Sequence, residues 1–205
     1  MMRYRALFPV LAIVALCVVS PAAAQDHTFK VFVAADWISP LSEEDAVTIG
    51  SVTDSIQASD ELGYEGGFEW RLHKIVGLEG SYLVAEHDIE FQDATVATVD
   101  QKSLTAALNF HILPTKFFDL WVAPVASWVD WGDVEPESGS PAPSEEVDSE
   151  VAFGAAVGFD IGLGKTFAIT AGVRWLSSDI KTDTETVAVD PLIARAGIAL
   201  RFGTR

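Results

Sequence analysis

Residues Asp190–Phe202 read DPLIARAGIALRF and alternate with a period of two. Every second residue from Leu192 to Phe202 is apolar, whereas the intervening face carries Arg195 and Arg201 among mostly small residues. A period of two is the period of a β-strand. Because the exposed face of a soluble sheet normally carries long polar side chains, this crowded second face predicts the inside of a narrow closed barrel.

Seven further segments alternate in the same way. Each has about the ~9–11 residues that a tilted membrane-spanning strand needs. With the terminal stretch they make eight strands, and the seven are Phe29–Trp37, Leu62–Leu72, Val76–Val84, Ser103–Ile112, Phe118–Trp128, Val151–Ile161 and Phe167–Trp175.

The connections between these segments alternate in length. The long ones are Ser39–Glu61, Asp88–Lys102, Gly132–Glu150 and Ser177–Asp190. The short ones are His73–Lys74, Leu113–Lys116 and Gly162–Lys165. Short turns on one side and long loops on the other are typical of outer-membrane barrels. We therefore predict an all-β fold, an eight-stranded antiparallel up-and-down transmembrane β-barrel.

The beginning of the chain has the features of a cleaved secretory signal peptide. Arg3 and Arg5 form a positive start, residues 6–19 are apolar, and small residues lead up to Ala24. We predict residues 1–24 as the signal peptide and residues 25–205 as the outer-membrane barrel domain. An N-terminal membrane anchor and a lipoprotein signal are the alternatives.

The composition that remains after cleavage excludes several classes of protein. Cys17, the only cysteine, leaves with the signal peptide, so the mature chain has no disulfide and no thiol nucleophile. Cleavage removes two of the 13 basic residues and none of the 30 acidic ones, which leaves 11 against 30, a net charge of −19. This balance argues against nucleic-acid binding. No later run of ~18 apolar residues could span a bilayer as a helix.

The composition of the two strand faces indicates which one looks inward. The polar face consists mainly of Gly, Ala and Ser, which suit the crowded interior of an eight-stranded barrel. The apolar face is rich in aromatic residues, which sort into two girdles of the kind found at membrane interfaces. We predict membrane-interface positions for Phe29, Trp37, Trp70, Tyr82, Trp128, Phe167, Trp175 and Phe202. A soluble barrel with an apolar interior is the alternative.

Single charges interrupt the inner face and predict a network in the lumen. Both signs occur in similar number, and charges in a confined space need partners. The predicted network comprises Lys30, Asp36, Glu65, Glu69, Arg71, Glu79, Asp160, Arg174, Arg195 and Arg201. It acts either as a structural plug of ion pairs or as a gate whose pairs break to admit solute. We favour the plug.

Two features lie outside the regular pattern. Pro124 interrupts the fifth segment, and because proline removes a ladder donor we expect a bulge or kink there. The stretch Glu135–Glu150, EPESGSPAPSEEVDSE, is rich in Pro, Ser and acids and predicts a mobile solvated loop.

Several stretches resemble the OmpW-like outer-membrane proteins, a family of small eight-stranded barrels of Gram-negative envelopes. In the terminal stretch, the matching residues are Asp190 and Pro191 at its start and Gly197, Arg201 and Phe202 at its end. LWVAPVASW (Leu120–Trp128) is similar to the fifth strand of the family, and VGFDIGLGKTFAITAGVRW (Val157–Trp175) to its sixth hairpin and seventh strand. The more generic OmpA/OmpX-type barrel is the alternative.

The resemblance implies a barrel with a narrow, partly hydrophobic passage for small apolar compounds. Our leading hypothesis is a non-enzymatic channel or receptor for small molecules in the Gram-negative outer membrane. A plugged structural or adhesive barrel that acts through acidic extracellular loops is the alternative. The expected partners are outer-membrane lipid and lipopolysaccharide, the barrel assembly machinery and small apolar solutes, with no nucleic acid.

A lipid-modifying enzyme is the third hypothesis. It would need a His beside a Ser or an acid at the rim, and His87-Asp88 is the one candidate near the outer end of a strand. No G-x-S-x-G motif and no metal-ligand spacing of His and Cys is present. The acidic groups at 43–45 and 145–146 do not resemble a calcium loop. We therefore predict no enzymatic activity, no catalytic residues, no cofactor and no metal.

Overall fold

A computed structural model describes residues 28–39, 45–49, 52–58, 60–91, 94–132, 135–136, 149–181, 186–188 and 190–203. The predicted signal peptide, residues 1–24, lies outside the described residues. So do the acidic residues at 43–44 and 145–146, and so does most of the predicted solvated loop, at 137–148.

Eight long strands form a closed antiparallel barrel. They are β1 (Phe29–Ser39), β4 (Glu61–His73), β5 (Val76–Phe91), β6 (Ala94–His111), β7 (Phe118–Trp131), β9 (Glu150–Leu163), β10 (Phe167–Ser177) and β13 (Leu192–Phe202). Each pairs with the next in chain order, and β1 pairs with β13. The predicted eight-stranded up-and-down barrel is confirmed.

Five short strands lie in the long connections. They are β2 (Asp45–Ile49), β3 (Val52–Ala58), β8 (Glu135–Pro136), β11 (Asp179–Lys181) and β12 (Thr186–Ala188). The β2–β3 hairpin pairs with the outer end of β5, and β8 pairs with β6, so both extend the barrel wall at its long-loop end. β11 and β12 form a separate hairpin.

The apolar face of the alternation points outward and the small and charged face points inward. On β1, Val33 is 60% exposed while its neighbour Phe32 is 4% exposed, and the same alternation recurs on the other barrel strands. Since side chains of a strand alternate between its two faces, the period of two identified the inward set directly.

One predicted loop is wrong. Asp88–Lys102 was expected to connect the third and fourth segments, but β5 continues to Phe91 and β6 begins at Ala94. The two strands stay paired from Val84↔Lys102 to Phe91↔Ala94, with a register shift after Ile89. Backbone pairing across the hairpin therefore continues where the apolar alternation ends, because ladder hydrogen bonds do not require apolar side chains.

Of the bulge or kink expected at Pro124, the bulge is absent. Pro124 lies on the outward face and pairs with Ala155 of β9 in unbroken register. On the β6 side, pairs are formed at Ala107↔Val125 and Phe110↔Val122, in the same register on both sides of the proline. Because proline has no backbone N–H, the β6–β7 ladder is interrupted next to Pro124, but no extra residue is inserted in either strand.

Apolar side chains fill much of the long-loop half of the barrel. The buried apolar cluster consists of Ile38, Leu83, Val99, Ala107, Trp121, Ala123, Val125, Val129, Trp131, Ala152, Leu176 and Ile193. Most of its members lie toward the long-loop ends of their strands. Within the described part of the chain, no helix has the length and apolar character needed to cross a membrane.

Candidate functional site

All ten charged side chains of the predicted lumen network are buried inside the barrel. Ion pairs arrange nine of them into two groups. The turn-side cluster, toward the short turns, contains Lys30, Glu69, Arg71, His111, Asp119, Asp160 and Arg201. The central cluster contains Glu65, Glu79, Arg174 and Arg195. Lys30 Nζ, 4.0 Å from Glu79 Oε2, links the two.

Lys30 is the centre of the turn-side cluster. Its Nζ lies 2.8 Å from Glu69 Oε2 and 3.0 Å from Asp160 Oδ2. Glu69 is its cross-strand partner on β4, and Arg201, its partner on β13, approaches the same Asp160 oxygen at 3.6 Å. Such pairing is necessary because an isolated charge in a dry interior would cost many kcal/mol.

Sequence reasoning missed two members of the turn-side cluster. His111 Nδ1 lies 2.9 Å from Asp119 Oδ2, and His111 Nε2 lies 2.9 Å from Glu69 Oε1. Arg71 donates to Asp119 Oδ2 at 2.7 Å. Carboxylate oxygens lie close to both ring nitrogens, and Arg71 Nη2 also lies 3.0 Å from Nδ1, while Nε2 makes no hydrogen bond to the described residues. Asp119 occupies an inward-facing position of β7, so the alternation could have identified it as a lumen residue.

The central cluster joins four strands across the lumen. Glu65 accepts from Arg174 Nη1 at 2.9 Å and from Arg195 Nη1 at 3.3 Å. Arg195 also donates to Glu79 Oε1 at 2.9 Å. Ser81 and Asn109 supply further donors, at 2.5 Å to Glu65 and 2.9 Å to Glu79.

Two aromatic rings flank the central cluster. The guanidinium carbon of Arg195 lies 4.6 Å from the Phe32 ring centroid and 5.2 Å from the Trp121 ring centroid, within cation–π range. Glycines provide the room for these rings, since a Cβ at Gly67 would overlap Phe32 and a Cβ at Gly158 would overlap Trp121.

Asp36 lies beside the central cluster, where its carboxyl group interacts electrostatically with Glu65, Arg174 and Arg195. It is fully buried, and neither carboxylate oxygen makes a hydrogen bond to the described residues. Its cross-strand partner is Arg195, whose Nη1 is engaged by Glu65 and Glu79. Among the described residues, and counting His111 as charged, the buried lumen holds six cations and six carboxylates, so these charges balance.

A cavity of about 20 Å³ lies beside the central cluster, large enough for one or two water molecules. Its walls combine the four central-cluster charges with Thr105, Ala107, Trp121, Val125, Ala156, Gly172, Val173 and Ile193. Two wall residues have buried N–H groups that bond no other described residue, namely Arg174 at Nε and Nη2 and Trp121 at Nε1.

The rim residue singled out for the enzyme hypothesis lies inside the barrel wall. His87 is 4% exposed, and its Nε2 lies 2.7 Å from Gln101 Oε1. Its ring also packs against Trp131, with centroids 5.8 Å apart. Gln101 in turn donates to Ser103 at 3.3 Å. Among the described residues, no group of His, Cys, Asp and Glu has the arrangement of a metal site.

The eight predicted interface aromatics all lie exposed on the outer surface. At the short-turn end, Phe29 stacks with Trp70 and with Phe202, with ring centroids 6.3 and 5.8 Å apart, while Phe167 stands on β10. Trp37, Trp128 and Trp175 stand toward the long-loop ends of their strands, whereas Tyr82 lies near the middle of the longer strand β5. The two sets therefore border an outward band of aliphatic side chains.

The chain matches a known family over almost its whole length. The family model described as "Outer membrane protein beta-barrel domain" matches residues 8–202. No curated protein matches the chain in sequence.

Several solved barrels share the fold. The outer membrane protein OprG from Pseudomonas aeruginosa is 15% identical, with a TM-score of 0.74 and coverage of 88% of this chain and 98% of OprG. The outer membrane protein AlkL, solved in lipid bilayers, is 14% identical, with a TM-score of 0.65 and coverage of 90% and 94%. Neisserial surface protein A is 13% identical, with a TM-score of 0.60 and coverage of 85% and 97%. At these identities the likeness shows the fold.

Proposed function

The chain belongs to the outer-membrane protein β-barrel family, and from this premise we propose that it is a narrow, gated channel or receptor for small molecules, including apolar ones. As a member of that family it resides in the outer membrane of Gram-negative bacteria. Its outward aliphatic band contacts membrane lipid. Lipopolysaccharide around the outer rim and the barrel assembly machinery are the partners that we propose from this location.

One observation carries the proposal. The larger buried apolar cluster lies toward the long loops, and the turn-side ion pairs lie toward the short turns together with a smaller apolar cluster of Phe32, Ala34, Ala168 and Ala199. The cavity lies beside the central cluster. The apolar half favours uncharged solutes over ions, since moving an ion from water into apolar surroundings is costly. The turn-side cluster acts as the gate, because its side chains close the lumen only while their pairs hold.

A second candidate function rests on the same ion pairs. The two clusters are linked through Lys30 and fill the lumen with balanced charge, which favours a permanently plugged barrel. Such a protein would act through its acidic loops as a structural or adhesive element. The enzyme hypothesis has less support, because His87 is buried and contacts Gln101 rather than a serine.

Conductance in planar bilayers tests the two candidates. The gate-removal variant combines Lys30→Ser, Glu69→Ser and Asp160→Ser, and Lys102→Ser on the outward face is its control. Heat-modifiable gel mobility first confirms that each barrel is folded.

For a gated channel, we expect brief small conductance steps from the wild type and the control, and sustained larger steps from the gate-removal variant. If neither the wild type nor the folded gate-removal variant passes current or admits a small uncharged solute in proteoliposome swelling, the plugged barrel is correct and the channel proposal fails.

A further inference from the structure

We propose that the cavity beside the central cluster is a binding site for small uncharged molecules that carry a carbonyl or hydroxyl oxygen on an apolar body. This inference rests on the proposed function and specifies its ligand class. It depends on three features of the cavity wall, which are its free donors, its charge balance and its apolar portion.

The free donors define the polar end of the ligand. Arg174 is 7% exposed and lines the cavity, and its Nε and Nη2 bond no described residue although Nη1 is held by Glu65. Trp121 is 2% exposed and lines the same cavity, and its Nε1 also bonds no described residue. Arginine and indole N–H groups only donate, so the group that satisfies them must be an acceptor. A buried donor without a partner costs free energy, which a ligand oxygen would recover.

The charge balance indicates that this acceptor is uncharged. The cavity wall contains two carboxylates and two guanidiniums that already pair with each other, and the buried carboxylate of Asp36 lies opposite Arg195. An anion would therefore meet no net positive charge and would lie near Glu65 and Glu79. A neutral carbonyl or hydroxyl oxygen accepts the same hydrogen bonds without that repulsion.

The rest of the wall defines the ligand body. Ala107, Val125, Ala156 and Ile193 are apolar, and three of them belong to the buried apolar cluster that leads toward the long loops. The space of about 20 Å³ holds only one or two waters, so a larger guest must part these side chains. The Arg174 guanidinium forms one ion pair, with Glu65, so its long side chain can move to make room for a ligand.

The test uses three probes with one aromatic ring and different heads, namely toluene, acetophenone and benzoate. The readout is the indole N–H signal of Trp121 in ¹⁵N-tryptophan-labelled barrel in lipid nanodiscs, assigned with Trp121→Phe. The outward Trp37, Trp70, Trp128 and Trp175 report partitioning of each probe into lipid and serve as internal controls.

We expect acetophenone to shift the Trp121 signal saturably and to bind with roughly tenfold higher affinity than toluene or benzoate. A factor of about ten corresponds to one hydrogen bond to a charged donor. Arg174→Met should reduce the affinity for acetophenone to that for toluene. Lys102→Met should leave the preference for acetophenone unchanged. If Arg174→Met fails the heat-modifiability check, the double variant Arg174→Met with Glu65→Gln, which removes the donor without leaving a carboxylate unpaired, replaces it with the same expectation.

Equal affinity for toluene and acetophenone, or tighter binding of benzoate, would overturn this inference and leave the channel proposal standing. The same holds if no probe shifts the Trp121 signal while the gate-removal variant conducts. If no probe shifts the Trp121 signal and neither the wild type nor the gate-removal variant shows transport, both proposals fail.

Discussion

Lys30 on β1 and Glu69 on β4 are direct cross-strand partners, and Lys30 Nζ lies 2.8 Å from Glu69 Oε2 with both side chains fully buried. Together with Asp160 they form the centre of the turn-side cluster. Strand register places the pair, because a shift of one residue would turn both charges toward lipid.

Replacing Lys30 should therefore destabilise the barrel strongly. Lys30→Met leaves Glu69 and Asp160 buried without their shared cation, and breaking a buried pair costs about 3–5 kcal/mol. Urea unfolding in detergent, followed by gel mobility, measures the free energy. Lys102→Met on the exposed face of β6 is the control and should change it little. Equal losses in both variants would contradict the role of the ion pair.

His111 should contribute through its two carboxylate contacts. His111→Phe removes the hydrogen bond with Asp119 and the 2.9 Å contact with Glu69, and a hydrogen bond to a charged group contributes roughly 1.5–3 kcal/mol. His73→Phe at the exposed end of β4 is the matched control. The same urea titration should show a loss for His111→Phe alone, and an unchanged midpoint would refute the assignment.

A methyl group on the inner wall should disturb the packing of Trp121. In Gly158→Ala the new Cβ overlaps the ring, and overpacking of this kind costs about 1–3 kcal/mol. Gly66→Ala on the outer face is the control, because the nearest atom to its Cβ would be Phe32 O at 4.0 Å. Unfolding measurements should separate the two variants, and if they are equally stable the inner wall is looser than described.

A charge in the middle of the outer face should be costly. Val33 lies midway along β1 and is 60% exposed, so Val33→Arg should destabilise the folded barrel by about 2–4 kcal/mol, as at a bilayer midplane. Leu62 is the cross-strand partner of Trp37 near the long-loop end, so Leu62→Arg should destabilise the folded barrel by only about 0–1 kcal/mol. Refolding into vesicles measures both. A Val33→Arg barrel as stable as Leu62→Arg would mean that the face does not contact the hydrocarbon core.

The position of the aromatic girdles can be measured by fluorescence quenching. In single-tryptophan variants, Trp37, Trp70, Trp128 and Trp175 should be quenched by brominated lipids, most strongly by those brominated near the headgroup. Trp121 and Trp131, which are buried in the lumen, should be quenched weakly. Strong quenching of Trp121, or none of Trp128, would reverse the assignment of the faces.

Much of the barrel could be predicted residue by residue. Lys30, Phe32 and Asp36 were assigned to the inner face of β1 from alternation alone, because successive side chains of a strand must point to opposite sides. Asp88–Lys102 was misread as a loop because the outward apolar face of β5 ends at Val84 and continues with Glu86 and Asp88, while the backbone pairing of β5 and β6 continues through it. Asp119 was missed although its position in the alternation placed it inside.

The sequence by itself determined the number of strands in the barrel and which face of each strand points inward, since these follow from local backbone geometry. Only the tertiary structure decided which charges pair and where the cavity lies. Lys30 and Asp160 are 130 residues apart in the chain, and they meet because the closed barrel brings β1 and β9 to face each other across the lumen. Alternation is a property of one strand, whereas pairing across a lumen depends on the register of all eight.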